Sequence, residues 1–494
     1  MEYLSTRNAQ LRKSAAEAIV MGLARDGGLY TPVSFPQLPD EMLRELCAVD
    51  YPQRAAWVMK QFLEEFSQEE LRDFTTRAYA VPGKFDNAAV APVVCRDDST
   101  AVLELWHGPT CAFKDMALQM LPYLLSASLR KTGEKKTVCI LVATSGDTGK
   151  AALEGFRDVE QTKILVFYPK DGVSKIQQLQ MTTQEGANVG VESVVGNFDD
   201  TQNGVKRIFS DESIRKTLDE RGYFLSSANS INWGRILPQV VYYISAYCDL
   251  INQGSTQMGQ QINFCVPTGN FGDILAGYFA KCMGLPVKKL ICASNSNNVL
   301  TDFLHTGVYD RNRPFYHTTS PSMDILISSN LERLLYLLSD SDEEVRGYMQ
   351  SLSDQGRYEV SETLKQKLQA QFACGYSDDN RAARAIQEQF EQGYLMDPHT
   401  AVAWSVLEDY RAASGDDTFT VVLSTANPYK FCSSVLDALH VTEQAEGTEI
   451  LSQMERVTGV KAPAPLASLA GKPIRFDGVC QKQEMEQVVL EFLK

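Results

Sequence analysis

One lysine, Lys114, lies among small, apolar and aromatic residues, which is an unusual setting for an ammonium group. The segment 105–118 reads Leu-Trp-His-Gly-Pro-Thr-Cys-Ala-Phe-Lys-Asp-Met-Ala-Leu. At its ordinary pKa of about 10.4 a lysine is charged and non-nucleophilic at neutral pH, whereas a desolvated or carbonyl-bound lysine serves as nucleophile or base. The residue types therefore predict covalent or acid–base chemistry at Lys114. The alternative is a surface lysine at the start of an amphipathic helix.

Two glycine-containing loops each follow an apolar run and precede helix-like sequence. The first, Thr-Ser-Gly-Asp-Thr-Gly-Lys at 144–150, follows the run 138–143. The second, Pro-Thr-Gly-Asn-Phe-Gly-Asp at 267–273, follows the run 262–266. Such turns expose backbone N–H groups at the positive end of a helix, where anions bind. Each loop is therefore a candidate phosphate or carboxylate site, with an ordinary turn of an α/β sheet as the alternative.

Neither loop has the spacing of a nucleotide-binding motif. A P-loop requires glycine where this chain has Thr144, and serine or threonine where it has Ala151. A dinucleotide-binding loop requires Gly-x-Gly-x-x-Gly, which neither loop contains. The loops therefore predict anion binding without indicating a nucleotide.

The elements that must position these residues alternate between strand-like and helix-like patterns. The strand-like runs are 137–143, 163–168, 188–195, 262–266 and 288–293. Helical patterns separate them between residues 93 and 293, which is typical of a mostly parallel sheet covered on both faces. Ligands of such sheets bind beyond the carboxyl ends of the strands, where both glycine loops fall.

The rest of the chain predicts further units. Residues 1–90 form a predicted N-terminal domain of helices and loops, with helices over 40–47, 52–66 and 68–77. We expect a catalytic core over 91–450 that contains a smaller mobile subdomain at about 125–250 and a solvated helical insertion at about 331–395. Ser341 and Glu344 have the spacing of a capping box in that insertion. Residues 451–494 are expected to be a C-terminal extension.

Composition restricts the class of protein. The 494 residues carry a formal net charge of −15, which disfavours nucleic acid or an anionic membrane as the partner. The eleven cysteines show no C-x-x-C spacing, which indicates reduced thiols, and the five histidines show no spacing for a metal site. The first residues lack the basic and apolar parts of a secretory signal, and no apolar run is long enough for a membrane span. We therefore expect a cytoplasmic protein.

The lysine segment, both loops and a later Ser-Thr-Ala-Asn-Pro at 424–428 together resemble the threonine synthase family, which are pyridoxal-phosphate enzymes. The likeness covers most of the chain and includes 3–7, 26–30, 179–183, 229–235 and 320–325. The glycine loops alone would indicate only the wider fold type. The resemblance implies an α/β fold of PLP fold type II (tryptophan-synthase-β-like), with parallel twisted sheets and an N-terminal mainly helical domain.

The resemblance implies pyridoxal 5'-phosphate (PLP) as cofactor. This cofactor needs an amine, a cradle for its phosphate and a partner for its ring nitrogen. Lys114 would join it covalently and do most of the proton transfer, and Thr425 would hydrogen-bond the pyridine nitrogen. The phosphate would be held by the second loop, formed by Gly269, Asn270, Phe271, Gly272 and Asp273. A carboxylate beside a phosphate is unfavourable, so we expect the Asp273 side chain to cap the following helix.

The resemblance also implies O-phospho-L-homoserine as the small-molecule substrate. Its carboxylate would bind to the first loop, formed by Ser145, Gly146, Asp147 and Thr148. Its phosphate needs basic residues, for which the candidates are Lys150, Lys175 and Arg235, with Ser174 and Asn232 as neutral donors. The alternative for Lys150 is a solvated side chain in the first turn of a helix.

One motif departs from the family pattern. The family usually has Thr-Ala-His-Pro-Ala-Lys-Phe, where residues 425–431 read Thr-Ala-Asn-Pro-Tyr-Lys-Phe. The threonine is present, so the cofactor prediction stands. Asn427 replaces a titratable group near the cofactor, which leaves the pH behaviour open.

The implied reaction converts O-phospho-L-homoserine and water to L-threonine and phosphate by γ-elimination and β-hydration. The alternatives are a phospho-lyase of the same lineage that makes 2-oxobutyrate, a hydroxy-amino-acid dehydratase, and a non-catalytic PLP-fold binding protein. Asn270, Phe271 and Asp273 in the second loop favour the synthase. The non-catalytic alternative is disfavoured because Lys114, both loops and Thr425 occur together in this chain. The sequence leaves open whether the protein is a monomer or a homodimer.

Overall fold

A computed structural model describes residues 1–494, except for the side chain of Asp199. The strands are β1 (Tyr3–Ser5), β2 (Asn8–Lys13), β3 (Tyr30–Pro32), β4 (Val93–Cys95), β5 (Thr100–Glu104), β6 (Thr137–Ala143), β7 (Thr162–Pro169), β8 (Val189–Val195), β9 (Tyr223–Ser226), β10 (Ile262–Pro267), β11 (Val287–Ser294), β12 (Val308–Asp310), β13 (Arg357–Glu359), β14 (Phe372–Tyr376), β15 (Thr420–Ser424) and β16 (Val479–Gln481).

The helices are α1 (Ala15–Met21), α2 (Asp40–Cys47), α3 (Tyr51–Phe62), α4 (Gln68–Ala78), α5 (Asp115–Leu118), α6 (Leu121–Thr132), α7 (Asp147–Phe156), α8 (Lys175–Thr182), α9 (Phe198–Ser210), α10 (Glu212–Glu220), α11 (Trp233–Asn252), α12 (Gly272–Cys282), α13 (Val299–Thr306), α14 (Leu331–Ser339), α15 (Asp342–Gln355), α16 (Glu362–Gln371), α17 (Asp379–Glu391), α18 (Pro398–Ser414), α19 (Cys432–Ala438), α20 (Glu449–Thr458), α21 (Ala464–Ala467) and α22 (Met485–Phe492). Short 3-10 helices span Pro321–Met323 and Pro428–Phe431.

A six-stranded sheet with the order β14-β11-β10-β15-β5-β4 forms the larger of two sheet layers. Its strands are parallel except for β4, which pairs antiparallel with β5. Helix α18 packs against β10, β11, β14 and β15, and α12 packs against β10 and β11. Because helices cover the sheet, its central strands are apolar at almost every position, and β5, β10 and β15 are buried throughout.

A five-stranded sheet with the order β16-β8-β7-β6-β9 forms the other layer, and every pairing in it is parallel. The predicted strands at 137–143, 163–168 and 188–195 correspond to β6, β7 and β8. β16, near the chain end, pairs with β8 at the sheet edge. Residues 451–494 therefore complete this sheet.

The N-terminal segment has the predicted helices and also a sheet that the sequence did not predict. β2, β1 and β3 form a three-stranded antiparallel sheet before α2. β1 and β3 are buried at all positions, so they lack the polar–apolar alternation that indicates a strand. The Tyr3 ring packs 5.1 Å from the buried ring of Trp233 and joins this segment to α11.

The segment 331–395 differs from the predicted solvated helical insertion. Four helices lie in it, but β14 pairs in parallel with β11 and extends the six-stranded sheet. Ser341 accepts a hydrogen bond from the Glu344 backbone N–H at 3.2 Å and caps α15, whereas the reciprocal bond of a capping box is absent from the described residues. Among the described residues, none of the helices combines the length and apolar character needed to cross a membrane.

Candidate active site

Three neighbouring strands of the six-stranded sheet place Lys114, Thr425 and the second glycine loop together. β5, β15 and β10 are adjacent and parallel, so their carboxyl ends meet at one edge. Lys114 lies in the segment after β5, Thr425 follows β15 directly, and the loop follows β10. The Phe113 N–H donates to the Thr425 carbonyl at 2.8 Å, which fixes the lysine segment against the end of β15.

Lys114 faces a cavity of about 140 Å³ at this edge. Burial lowers the pKa of Lys114 to about 8, although the nearby Asp147 carboxylate acts in the opposite direction. Its ammonium group lies 4.5 Å from the ring centroid of Phe113. Near neutral pH a larger fraction of Lys114 is therefore neutral, and so nucleophilic, than of an exposed lysine.

The second glycine loop turns its backbone N–H groups away from protein acceptors. Its carbonyl groups are held from outside: the Ser328 hydroxyl donates to the Gly269 carbonyl at 2.7 Å, and the Asn330 amide donates to the Asn270 carbonyl at 3.0 Å. Within the described residues, the N–H groups of 269–273 make no hydrogen bond to protein. Phe271 adopts a left-handed conformation, φ 65°, at the start of α12. Successive free N–H groups at a helix N-terminus form an anion cradle.

Asp273 lies in the first turn of α12 and lines the cavity. Its carboxylate accepts a hydrogen bond from the neighbouring Ile274 N–H at 2.9 Å, but α12 has no side-chain cap, so the expected capping role is not observed. Burial raises the pKa of Asp273 to about 6. A partly protonated carboxyl group repels a neighbouring phosphate less than an ionised carboxylate does. The raised pKa therefore reduces the expected repulsion between Asp273 and the cofactor phosphate.

The first glycine loop follows β6 and lies on the opposite side of the cavity. The Thr144 hydroxyl accepts the N–H groups of Gly146 and Gly149 at 3.0 and 2.9 Å and shapes the turn into α7. Among the described residues, the N–H groups of Ser145, Asp147 and Thr148 find no protein acceptor. This loop is therefore a second anion site, across the cavity from the first.

The cavity brings together most of the residues predicted from the sequence. Those that line it are Lys114, Ser145, Asp147, Thr148, Arg235, Gly269, Asn270, Gly272, Asp273 and Thr425. Phe271 is fully buried beside them. Gly146 lies between lining residues and, with φ 132°, adopts a conformation that favours glycine.

Four residues predicted to bind the substrate lie elsewhere. Lys150 pairs with Glu154 at 3.1 Å, one turn along α7, and lines a different pocket. Ser174 caps α8 by accepting the Gln177 N–H at 3.2 Å. Lys175 is exposed on the same helix. The Asn232 side chain caps α11 by accepting the Gly234 N–H at 2.9 Å. These side chains satisfy local helix and ion-pair contacts, so the structure does not bring them to the cavity.

Arg235 is the predicted basic residue that does face the cavity. It is 3 % exposed, its guanidinium donates to the Ala228 carbonyl, and its Nε has no hydrogen-bond partner in the described structure. Burial lowers the pKa of Arg235 to about 10. Among the described residues, no carboxylate contributes to the shift in the pKa of Arg235. A buried, positively charged guanidinium that lines the cavity favours an anion there.

The Thr425 hydroxyl is also free for a ligand. Thr425 is 6 % exposed and lines the cavity, and none of the hydrogen bonds of the described residues uses its hydroxyl. A threonine hydroxyl donates one hydrogen bond, which matches a ring nitrogen acceptor.

Sequence reasoning missed a histidine in the cavity wall. His399 accepts the Ser322 backbone N–H through Nε2 at 3.1 Å and bonds Asp397 through Nδ1 at 2.7 Å. Nε2 therefore bonds a main-chain group rather than the serine hydroxyl, so the trio is not a nucleophilic triad. It holds the loop 321–325 against the cavity. The only signal in the sequence was the family-like motif 320–325.

Asn427, the departure from the family pattern, caps a turn. Its side chain accepts the Tyr429 N–H at 3.0 Å at the start of the 3-10 helix Pro428–Phe431. Asparagine is a favoured residue at such positions. Asn427 is not among the residues that line the cavity, so its effect on the site is indirect.

Known proteins and protein families match this chain over most of its length. Family models match as "Threonine synthase N terminus" at 2–79, "Pyridoxal-phosphate dependent enzyme" at 100–425 and "Threonine synthase, C-terminal" at 400–489. Threonine synthase of Saccharomyces cerevisiae is 38 % identical over 467 residues, which cover 88 % of this chain and 89 % of the yeast protein. The chain belongs to the threonine synthase family of pyridoxal-phosphate-dependent enzymes.

Solved structures agree with this family. The PLP-bound threonine synthase of Brucella melitensis has a TM-score of 0.88 at 39 % identity, with all of both chains covered. Yeast threonine synthase has a TM-score of 0.89 at 34 % identity, covering 100 % of this chain and 98 % of the yeast chain. The predicted threonine synthase family, fold class and PLP cofactor are confirmed.

A longer relative also matches. Human threonine synthase-like 1 is 40 % identical over 470 residues, which cover 92 % of this chain but only 61 % of the human protein. The chain thus spans about three fifths of the length of that relative.

Proposed function

We propose that this protein is a threonine synthase that converts O-phospho-L-homoserine and water to L-threonine and phosphate. The observation that carries the proposal is one cavity with a buried, partly neutral lysine, two free N–H loops and an unpaired buried arginine. A lysine that binds PLP and one phosphate site would suit many enzymes of the wider fold. A further anion-binding arginine suits a substrate that carries a phosphate as well as a carboxylate.

In this proposal the residues at the edge of the six-stranded sheet would hold the cofactor. Lys114 would bind it covalently, the N–H groups of 269–273 would bind its phosphate, and the Thr425 hydroxyl would donate to its ring nitrogen. The fit is supported by the free donors in the loop and by the pKa of Lys114, which burial lowers to about 8. When bound, pyridoxal phosphate acts as an electron sink that acidifies the substrate proton beside the carboxylate.

The substrate would lie between the two loops. The N–H groups of Ser145, Asp147 and Thr148 bind its carboxylate, and Arg235 binds its phosphate. Once the substrate amine displaces Lys114, the free Lys114 amine would accept the α proton and then the β proton, so that phosphate leaves from the γ carbon. A proton would then return to the γ carbon, hydroxide from water would add at the β carbon, and a proton would return to the α carbon. The buried cavity limits water, which must add at the β carbon for threonine to form.

The test separates the synthase from the phospho-lyase and examines Arg235. Purified protein with PLP and O-phospho-L-homoserine should release mainly threonine, measured by chromatography. Arg235→Gln should weaken substrate binding by about 1.5–3 kcal/mol and increase the share of 2-oxobutyrate, because a charge-assisted contact to the phosphate is lost.

The control is binding of unphosphorylated homoserine, which Arg235→Gln should leave nearly unchanged. Equal losses for both ligands would remove Arg235 from the phosphate site. A wild-type protein that makes only 2-oxobutyrate would establish the phospho-lyase instead.

We also propose a cytoplasmic location and a monomer or homodimer without nucleic-acid or membrane partners. All eleven cysteines are free, as expected in a reducing compartment. Light scattering after size-exclusion chromatography measures the oligomeric state.

A further inference from the structure

Lys430 is a buried lysine that the proposed reaction does not yet use. It lies in the 3-10 helix Pro428–Phe431, a few residues after Thr425, and its side chain is 0 % exposed. It is not among the residues that line the cavity. A lysine is rarely buried unless its charge is paired, so its contacts indicate its role.

The ammonium group of Lys430 makes three contacts, each of 2.9 Å. Its Nζ pairs with the Asp147 carboxylate, donates to the Thr110 carbonyl and donates to Oε1 of Gln180. The contacts to Thr110 and Gln180 are hydrogen bonds, whereas the contact to Asp147 is an ion pair. The Lys430 charge is therefore surrounded by protein groups, in agreement with its complete burial.

The three contacts join segments from both sheet layers. Thr110 lies in the segment that carries Lys114, between β5 and α5, whereas Asp147 begins α7 and Gln180 lies in α8. Lys430 itself follows β15 of the six-stranded sheet. One buried charge therefore connects the lysine segment with the first glycine loop.

We propose that Lys430 is a positioning residue that holds the Asp147 carboxylate, and with it the loop 145–148, at the substrate end of the cavity. This inference rests on the proposed function for its kinetic consequence, but not for the ion pair itself. Asp147 has further support from the Gln177 amide, which donates to Oδ1 at 2.9 Å. Only Lys430 supplies a charge from outside the cavity.

The charges around Asp147 are consistent with this role. Burial tends to raise the pKa of Asp147, but the positive charges of Lys430 and Lys114 overcome this and hold it well below its usual range. The other charged groups that face this region are Arg235, Asp273 and Asp115. Lys114 is expected to lose its free ammonium when it binds the cofactor, which leaves Lys430 as the permanent cation beside Asp147.

The first experiment measures the ion pair without reference to turnover. In Lys430→Met, Asp147 is buried with less positive charge, so its folded pKa should rise above the unfolded value. An acid with a raised folded pKa stabilises the fold only at low pH, and that stability is lost as pH rises through the folded pKa. The thermal midpoint of Lys430→Met should therefore fall between pH 4 and pH 7 relative to the wild type.

The double variant Lys430→Met with Asp147→Asn is the matched control. It has no carboxylate to titrate, so it should be more stable than Lys430→Met at pH 7 and equal to it near pH 4. A difference of the same size at both pH values would overturn the ion-pair role. Circular dichroism of each full-length variant confirms that it is folded.

The second experiment measures the effect on the substrate. Lys430→Met should raise KM for O-phospho-L-homoserine about tenfold to hundredfold with little change in kcat, and Lys430→Arg should restore part of the affinity. Lys150→Met breaks another ion pair of α7 outside the cavity and should lower the thermal midpoint without raising KM. An equal rise of KM in both variants, or a loss confined to kcat, would overturn the positioning role.

The two experiments separate the possible failures. A wild type without turnover of O-phospho-L-homoserine would reject the proposed function, while the pH dependence of stability would still test the Lys430–Asp147 pair. A wild type with turnover but without the stability difference would reject only the role of Lys430.

Discussion

At the scale of single residues, burial decides the chemistry of this site. Lys114 is an ordinary lysine by composition, but desolvation lowers its pKa to about 8. Arg235 and Thr425 keep polar atoms without protein partners beside it. A folded chain normally satisfies such atoms, so free donors that face one cavity indicate a ligand.

The pKa of Lys114 predicts how fast the cofactor is captured. Only the neutral amine reacts, so the rate of covalent PLP binding should rise about tenfold per pH unit below pH 8 and level off above it. Stopped-flow absorbance measures this rate, with Nα-acetyl-lysine as the reference for changes in the free cofactor. A midpoint near pH 10 would show that Lys114 is not desolvated.

Thr425→Val should weaken cofactor binding because it removes the hydroxyl while keeping the shape of the side chain. Loss of one hydrogen bond predicts a decrease of about 0.5–1.5 kcal/mol in binding free energy, and more if the ring nitrogen is left unpaired. Thr425→Ser keeps the hydroxyl and is the control. Equilibrium titration measures the PLP affinity of both variants. Equal PLP affinity of Thr425→Val and Thr425→Ser would show that another group bonds the ring nitrogen.

At the scale of elements, strand order brings the site together. β10, β15 and β5 are consecutive strands of one sheet, although β5 and β15 lie more than three hundred residues apart along the chain. Each strand ends at the same edge, and each is followed by one part of the cavity. The second loop must also fit closely under the loop 321–325, since a Cβ on Gly269 would lie 2.7 Å from the Ser322 carbonyl oxygen.

Gly269→Ala should therefore displace the phosphate loop. The clash is with main-chain atoms, which cannot rotate away, and overpacking of this kind costs about 1–3 kcal/mol. We expect weaker PLP binding in an equilibrium titration. Gly347→Ala in α15, where nothing lies within 4 Å, is the control and should raise stability by about 0.5–1 kcal/mol without changing PLP affinity. Unchanged affinity in Gly269→Ala would contradict the cradle.

At the scale of the whole molecule, the last residues belong to the layer that carries the first loop. β16 pairs with β8, and Val489 of α22 and Leu493 directly after it are buried in one cluster with residues of β6, β7 and β8. Lys482 pairs with Asp200 at 2.9 Å and attaches the same segment to α9. The chain end therefore supports an element that contributes Phe198 to the cavity wall.

Leu493→Ala should destabilise the protein although it lies next to the chain end. Leu493 is 0 % exposed, and removal of a buried leucine side chain costs about 2–5 kcal/mol. Urea unfolding measures the loss. Glu486→Ala on the exposed face of α22 is the control and should change stability by less than about 0.5 kcal/mol. A loss below that size in Leu493→Ala would show that α22 is not part of the folded core.

Local sequence was sufficient for five buried parallel strands, β6, β7, β8, β10 and β11, and for the short motifs of the site. The apolar runs at 137–143 and 262–266 predicted β6 and β10, because buried parallel strands are apolar on both faces. The Lys114 segment and the two glycine loops were recognised because each depends on a short stretch of special residues. The same reasoning missed β1, β3 and β14, and also β5 and β15, which precede Lys114 and Thr425. All five are strands of three to five residues without a distinctive pattern.

Only the tertiary structure decided which polar residues meet. Lys150 and Arg235 are both basic residues in family-like motifs, yet Lys150 pairs with Glu154 and Arg235 faces the cavity unpaired. Lys430 lies in the family-like motif 425–431, but the motif did not reveal its role, because its contacts to Asp147 and Thr110 join residues that are distant along the chain. Spacing determines helices, strands and turns, whereas the partner of a buried charge depends on how separate elements pack together.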